Sequence, residues 1–143
     1  MEYLPLLAVF IALIGSFAVA RYNAYRTASA KFRAVVLESL SDFYPNFTRW
    51  HGASFGRELQ GKFPVLQSAV ADFEASLAWW RKGAFRKAWG RYCNATGRDC
   101  DMNTYLHYFD CYGPGGTQED ATTKAQALFH DNVKRLLEFA HET

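Results

Sequence analysis

The chain has 143 residues, half of them hydrophobic and 17% aromatic, with a formal net charge of +2. That richness in apolar side chains excludes a disordered tail, and so weak a charge does not call for a nucleic-acid partner. Beyond residue 20 about 120 residues remain, enough for one domain with a single core.

The first element is Leu4 to Ala20 (LPLLAVFIALIGSFAVA), seventeen residues without a charge. A bilayer span needs about 20 apolar residues, with a working range of roughly 17–25. Tyr3 and Tyr22 extend the segment into the interfacial zone, where aromatic rings prefer to lie. Ala18-Val19-Ala20 has the small-x-small pattern of a signal cleavage site. A signal also wants a basic n-region, and here that region carries Glu2 and no Lys or Arg. Arg21, Arg26, Lys31 and Arg33 follow within about 15 residues, and such charge stays on the cytoplasmic side. The expectation is an uncleaved transmembrane anchor over 1–20, with the N-terminus outside and a helical domain over 21–143 in the cytoplasm. The alternatives are a signal cleaved at Ala20, releasing an exported periplasmic domain, and a helix buried in a soluble fold. Ala12, Gly15, Ser16 and Ala18 place small residues where spans could meet, a weak ground for self-association.

Phe32, Val35, Val36 and Leu40 recur at helical spacing, and neither Pro nor Gly separates them from the span. One helix is expected to continue from the span through 21–41, stopping near Tyr44-Pro45 because a residue before proline avoids the helical region. Ser41–Gly56 reads as a loop, packed down by Phe43, Tyr44, Phe47, Trp50 and Phe55. A second helix is expected over Arg57–Leu77. Pro64 opens its main part, and Val65, Leu66, Ala69, Val70, Phe73 and Leu77 form its stripe. Trp79-Trp80 precedes a break at Arg81-Lys82-Gly83. A third helix follows over Ala84–Thr96, with Phe85, Ala88, Trp89 and Tyr92 on one face and Gly97 beyond its end. Arg98–Gly116 is irregular, with one helical turn near Thr104–Phe109 and a firm break at Gly113-Pro114-Gly115-Gly116. Thr117-x-x-Asp120 resembles a capping box and introduces a last helix over Gln118–His141. Its apolar face reads as Ala121, Ala125, Leu128, Val133, Leu136, Leu137 and Ala140. No period-2 strand pattern appears, so the fold class is all-α: a transmembrane helix continuing into a small bundle of about four helices.

Three groups of residues could carry chemistry. Cys93, Cys100, His107 and Cys111 are possible zinc ligands, yet no short pair such as C-x2-C occurs among them. Three cysteines suit a reducing compartment; an exported domain could instead form one disulfide, Cys100–Cys111 or Cys93–Cys100. His107 and Asp110 share a helical face, but no nucleophile elbow or phosphate-cradling loop accompanies them. No catalytic residue and no cofactor are therefore assigned. The third group is basic and interleaved with aromatics: Arg81, Lys82, Arg86, Lys87 and Arg91, with Trp79, Trp80, Phe85, Trp89 and Tyr92. It reads as an ordinary core face backed by a solvated one, or as a surface for anionic lipid or a partner. Asn46-Phe47-Thr48 and Asn94-Ala95-Thr96 match the glycosylation triplet, which matters only in a secreted eukaryotic protein.

The N-terminal span followed by Lys31-Phe32-Arg33, Ala69-Val70-Ala71-Asp72-Phe73, Lys82-x-x-Phe85-x-x-Ala88-Trp89-x-x-Tyr92 and Arg135-Leu136-Leu137-Glu138-Phe139-Ala140 resembles a set of short, uncharacterised bacterial membrane-anchored proteins. The resemblance covers most of the chain and implies a bacterial inner membrane and one helical domain. It brings no activity, and the cysteine-bearing run Asn94–Cys111 lies outside it. The functional expectation is a single-pass membrane protein held in the lipid bilayer through residues 4–20. Its domain serves as an interaction module for a protein partner or a second copy, rather than as an enzyme.

Overall fold

A computed structural model describes residues 4–48, 52–94, 105, 108 and 117–141. Among the described residues the chain is all-α, with no strand and four helices: α1 (Leu4–Ser39), α2 (Gly52–Ser76), α3 (Trp79–Cys93) and α4 (Gln118–Glu138). At 1.5 Å per residue the 36 residues of α1 extend about 54 Å. Its first half stands clear of the core: from Leu6 to Val19 the large apolar side chains are 57–69% exposed. Its second half enters the bundle and buries Ser29, Phe32, Val36 and Leu40, while Val35 is only half-buried.

Each later helix reverses the direction of the one before it. Phe43 meets Phe55 at one end of the α1–α2 pair, with ring centroids 5.0 Å apart. Tyr25 meets Phe73 at the other, 6.1 Å apart. The α3–α4 pair is likewise antiparallel, joined near Arg81 and Phe139 at one end and near Arg91 and Asn132 at the other. The chain thus climbs away from the apolar segment in α1, returns in α2, climbs in α3 and returns in α4.

Two aromatic clusters fill the core. Nearer the apolar segment, Phe32 stacks on Phe73 at 4.6 Å, and Phe85 stands edge-on to Phe32, Phe73 and Phe139 at 5.7, 5.3 and 5.4 Å. At the far end Phe129 of α4 is fully buried among Phe55, Tyr92 and Tyr108, at 5.6, 5.8 and 5.4 Å. Such offset and edge-to-face arrangements suit the ring quadrupole and add to the burial of apolar area. The far end also closes α3. Its terminal carbonyls would otherwise lack partners. Asn132 Nδ2 donates to the Arg91 carbonyl at 3.1 Å, and the Tyr108 hydroxyl donates to the Tyr92 carbonyl at 2.7 Å. Burial holds the phenols of Tyr92 and Tyr108 well above the ordinary tyrosine range, so they stay neutral.

Several sequence expectations are corrected. Helix α2 begins at Gly52, not Arg57, and passes through Pro64. Phe55, Leu59, Phe63, Leu66, Val70, Phe73 and Leu77 form one buried stripe at three- and four-residue spacing, continuous across the proline, which sits exposed on the opposite side. Phe55, expected in the loop, belongs to that stripe, and Val65, expected in it, is exposed. The break after α2 falls at Leu77-Ala78, so Trp79 and Trp80 open α3 and Gly83 lies inside it; α3 ends at Cys93, not Thr96. Ala78 is extended, at φ −61° and ψ 144°, while Leu77 is buried in the core. The capping box is formed: Thr117 Oγ1 accepts from the Asp120 amide at 3.2 Å, and the Thr117 amide donates back to the Asp120 carboxylate at 3.4 Å. The Thr117 hydroxyl and amide hold the Asp120 carboxyl below its ordinary value. On α4 the inward residue is Phe129, whereas Leu128 is 39% exposed, and the helix closes at Glu138, not His141. Gly97, the turn near Thr104–Phe109 apart from Tyr105 and Tyr108, and Gly113–Gly116 lie outside the described residues.

Candidate functional site at the exit of the apolar helix

Three segments converge where α1 passes from apolar to polar sequence. The first is α1 itself: Ala20 ends the apolar run, and Arg21, Tyr22, Tyr25 and Arg26 follow. The second is the α2–α3 corner, Ser76 to Arg81. The third is the close of α4 at Phe139. An open groove is lined by Ala18, Arg21, Tyr22 and Tyr25 from α1 and by Ser76, Ala78, Trp80 and Arg81 from the corner.

Arg81 ties the three together. Its Nη1 donates to the Tyr25 hydroxyl at 3.2 Å and its Nη2 to the Phe139 carbonyl at 3.2 Å. The Tyr25 hydroxyl in turn donates to the same carbonyl at 2.6 Å. The guanidinium carbon lies 5.7 Å from the centroids of both the Tyr25 and Phe139 rings, close enough for cation–π attraction. A planar fork with several fixed donors suits this double duty. Arg81→Ala is expected to destabilise the bundle by about 1–2 kcal/mol, the site being half-exposed. Arg81→Lys should recover only part of that, because an ammonium cannot reproduce the fork. Urea midpoints of the full chain in detergent micelles check both; equal midpoints for wild type and Arg81→Ala would contradict the clamp.

The other basic residues separate along α3. Lys82 is half-buried in the first turn. Arg86 is exposed and pairs across to α2, its Nε donating to the Glu74 carboxylate at 2.8 Å. Lys87 and Arg91 are exposed one and two turns further on, Arg91 lying about 16 Å along the helix from Trp80. The five basic positions therefore do not form one patch at one height. Arg81 is engaged in the fold, Lys82 lies at the junction, and Arg86, Lys87 and Arg91 climb away from it.

The conspicuous side chains at the junction are Trp79 and Trp80, 79% and 67% exposed, with rings edge to face at 5.8 Å. In the sequence they appear only as two of five interleaved aromatics. What distinguishes them is their place at a helix start, where neither falls on the Phe85–Ala88–Trp89–Tyr92 face. Of the possible metal ligands, Cys93 is buried in the core, and Cys100, His107 and Cys111 lie outside the described residues. No group of three His, Cys, Asp or Glu side chains placed to hold a metal ion occurs among the described residues. By length and composition α1 can cross a membrane. No family model, curated protein or solved structure matches the chain, so the reading of this junction rests on its own geometry.

Proposed function

We propose that this chain is a single-pass protein of a bacterial inner membrane, held in the bilayer through residues 4–20, with its N-terminus outside and its helical bundle in the cytoplasm as an interaction module. The observation that carries the proposal is the contrast within α1. One continuous helix exposes its large apolar side chains on every side from Leu6 to Val19 and then buries one stripe in the core from Phe32 onward. A run of exposed apolar side chains this long requires a cover, and seventeen residues rising about 26 Å approach the roughly 30 Å hydrocarbon thickness. The orientation is supported by Arg21 and Arg26 at the exit, with Lys82 brought to the same end by the fold. A contact role for the bundle is supported by a groove between α1 and α2, lined by Lys31, Val35, Pro64, Val65, Ser68, Ala69 and Asp72, with Val65 exposed on it.

Fusing reporters to Thr143 tests the placement. The expected result is a fluorescent cytoplasmic reporter, an inactive alkaline phosphatase and an intact mass that retains Met1–Ala20. Active phosphatase with a mature N-terminus at Arg21 would replace the proposal with the exported domain.

A further inference from the structure

We propose that the α2–α3 corner is a second membrane contact, in which Trp79 and Trp80 enter the headgroup region of the bilayer that α1 spans. The inference rests on the anchoring reading and adds to it a fixed height and a fixed side for the bundle. Trp80 shares its groove with Ala18, Arg21, Tyr22 and Tyr25, four residues that straddle the end of the apolar run. Because α1 is one helix across that boundary, whatever depth Ala18 and Tyr22 occupy is also the depth of Trp80. When residues 4–20 fill the hydrocarbon, the corner stands at the interface.

The chemistry at that height fits lipid. Tryptophan rings favour the interfacial zone, where the apolar ring is shielded and the indole N–H can still find a polar partner. Among the described residues Trp79 is the most exposed large hydrophobic side chain, at 79%, and Trp80, at 67%, is as open as Phe10 and Phe17 of the apolar segment, at 68% and 69%. Arg21 lines the same groove as Trp80, and Lys82 follows in the first turn of α3; both supply positive charge suited to phosphate. The Arg81 clamp on Tyr25 and Phe139 fixes the corner to α1, so the tryptophans cannot swing clear without breaking it. The end of the span and Trp80 thereby face one groove. The occupant is the bilayer already holding α1, with a second copy of the chain as the outcome that would replace it.

The test uses the full chain reconstituted in phosphatidylcholine–phosphatidylglycerol vesicles carrying brominated acyl chains. The expected result is loss of tryptophan emission, stronger with bromines near the headgroup than near the chain ends. That lipid-dependent loss should disappear in Trp79→Ala/Trp80→Ala. Both positions are exposed, and an unchanged helical circular dichroism signal verifies that the variant is folded. Alkaline extraction of the same vesicles separates the two readings. A chain that resists extraction but shows no bromine quenching, or the same quenching in the double variant, overturns the corner contact alone. A chain released by alkali overturns the anchor and the contact together. Unquenched tryptophans combined with disulfide cross-linking of a Trp79→Cys variant assign the corner to a second copy instead.

Discussion

Replacing Leu13 and Ile14 together by arginine should release the chain from the membrane at alkaline pH. The segment Leu4–Ala20 contains ten Leu, Ile, Phe and Val residues, which favour insertion by about 3–6 kcal/mol in all on a scale of roughly 0.3–0.6 each. Two arginines near the middle cost about 5–7 kcal/mol on the same scale, enough to reverse the balance. Leu13 and Ile14 are about 60% exposed and contribute nothing to the bundle core, so the variant should keep its helical circular dichroism signal while changing fraction. Leu13→Val/Ile14→Val should remain in the membrane pellet. A double-arginine chain that still resisted alkaline extraction would show that something other than the bilayer holds this helix.

Phe129→Ala should be the most damaging single change in the bundle. The ring is fully buried and contacts aromatic residues from α2, α3 and the Tyr108 segment, as well as Phe43 and Phe47. Truncating a buried phenylalanine costs about 3–5 kcal/mol, against a total stability on the order of 5–15 kcal/mol for a domain of this size. The urea midpoint of the full chain in micelles should fall accordingly. Leu128→Ala, one residue away and partly exposed, should move stability by no more than about 0.5 kcal/mol. Equal effects at the two positions would mean that α4 packs in a different register.

These two residues also mark how far periodicity reads. Ala121, Ala125, Val133, Leu136, Leu137 and Ala140 were visible as one face, and the capping box at Thr117 placed its start. Within a helix, however, two adjacent apolar residues compete for one inward position. Leu128 and Phe129 both fit the spacing loosely, and only the neighbouring rings decide between them. Val65 and Leu66 present the same ambiguity, resolved by Phe63 and Phe73. Pro64 misled for another reason. A proline reads as a start or stop because it lacks an N–H, but a buried stripe continuous from Phe55 to Leu77 outweighs one missing hydrogen bond. Phe32, Val36 and Leu40 were legible as a stripe, although Val35, read with them, is only half-buried beside Val36. The junction was not, since Tyr25, Arg81 and Phe139 are separated by up to 114 residues in sequence, and no local pattern brings them together.

The unbroken α1, clamped to the corner through Tyr25, makes the bundle a lever. Its one glycine, Gly15, lies well before the junction, and its only proline, Pro5, is at the very start, so no hinge intervenes where the helix leaves the apolar segment. Packed helices lie about 8–10 Å apart, so the Trp79–Trp80 corner stands roughly that far from the α1 axis. Tilting the span by about 20°, a common value in bilayers, raises or lowers that corner by about 3 Å. Any tilt of the span would therefore be converted into the height of the corner, and the angle of the span into the attitude of everything the bundle carries.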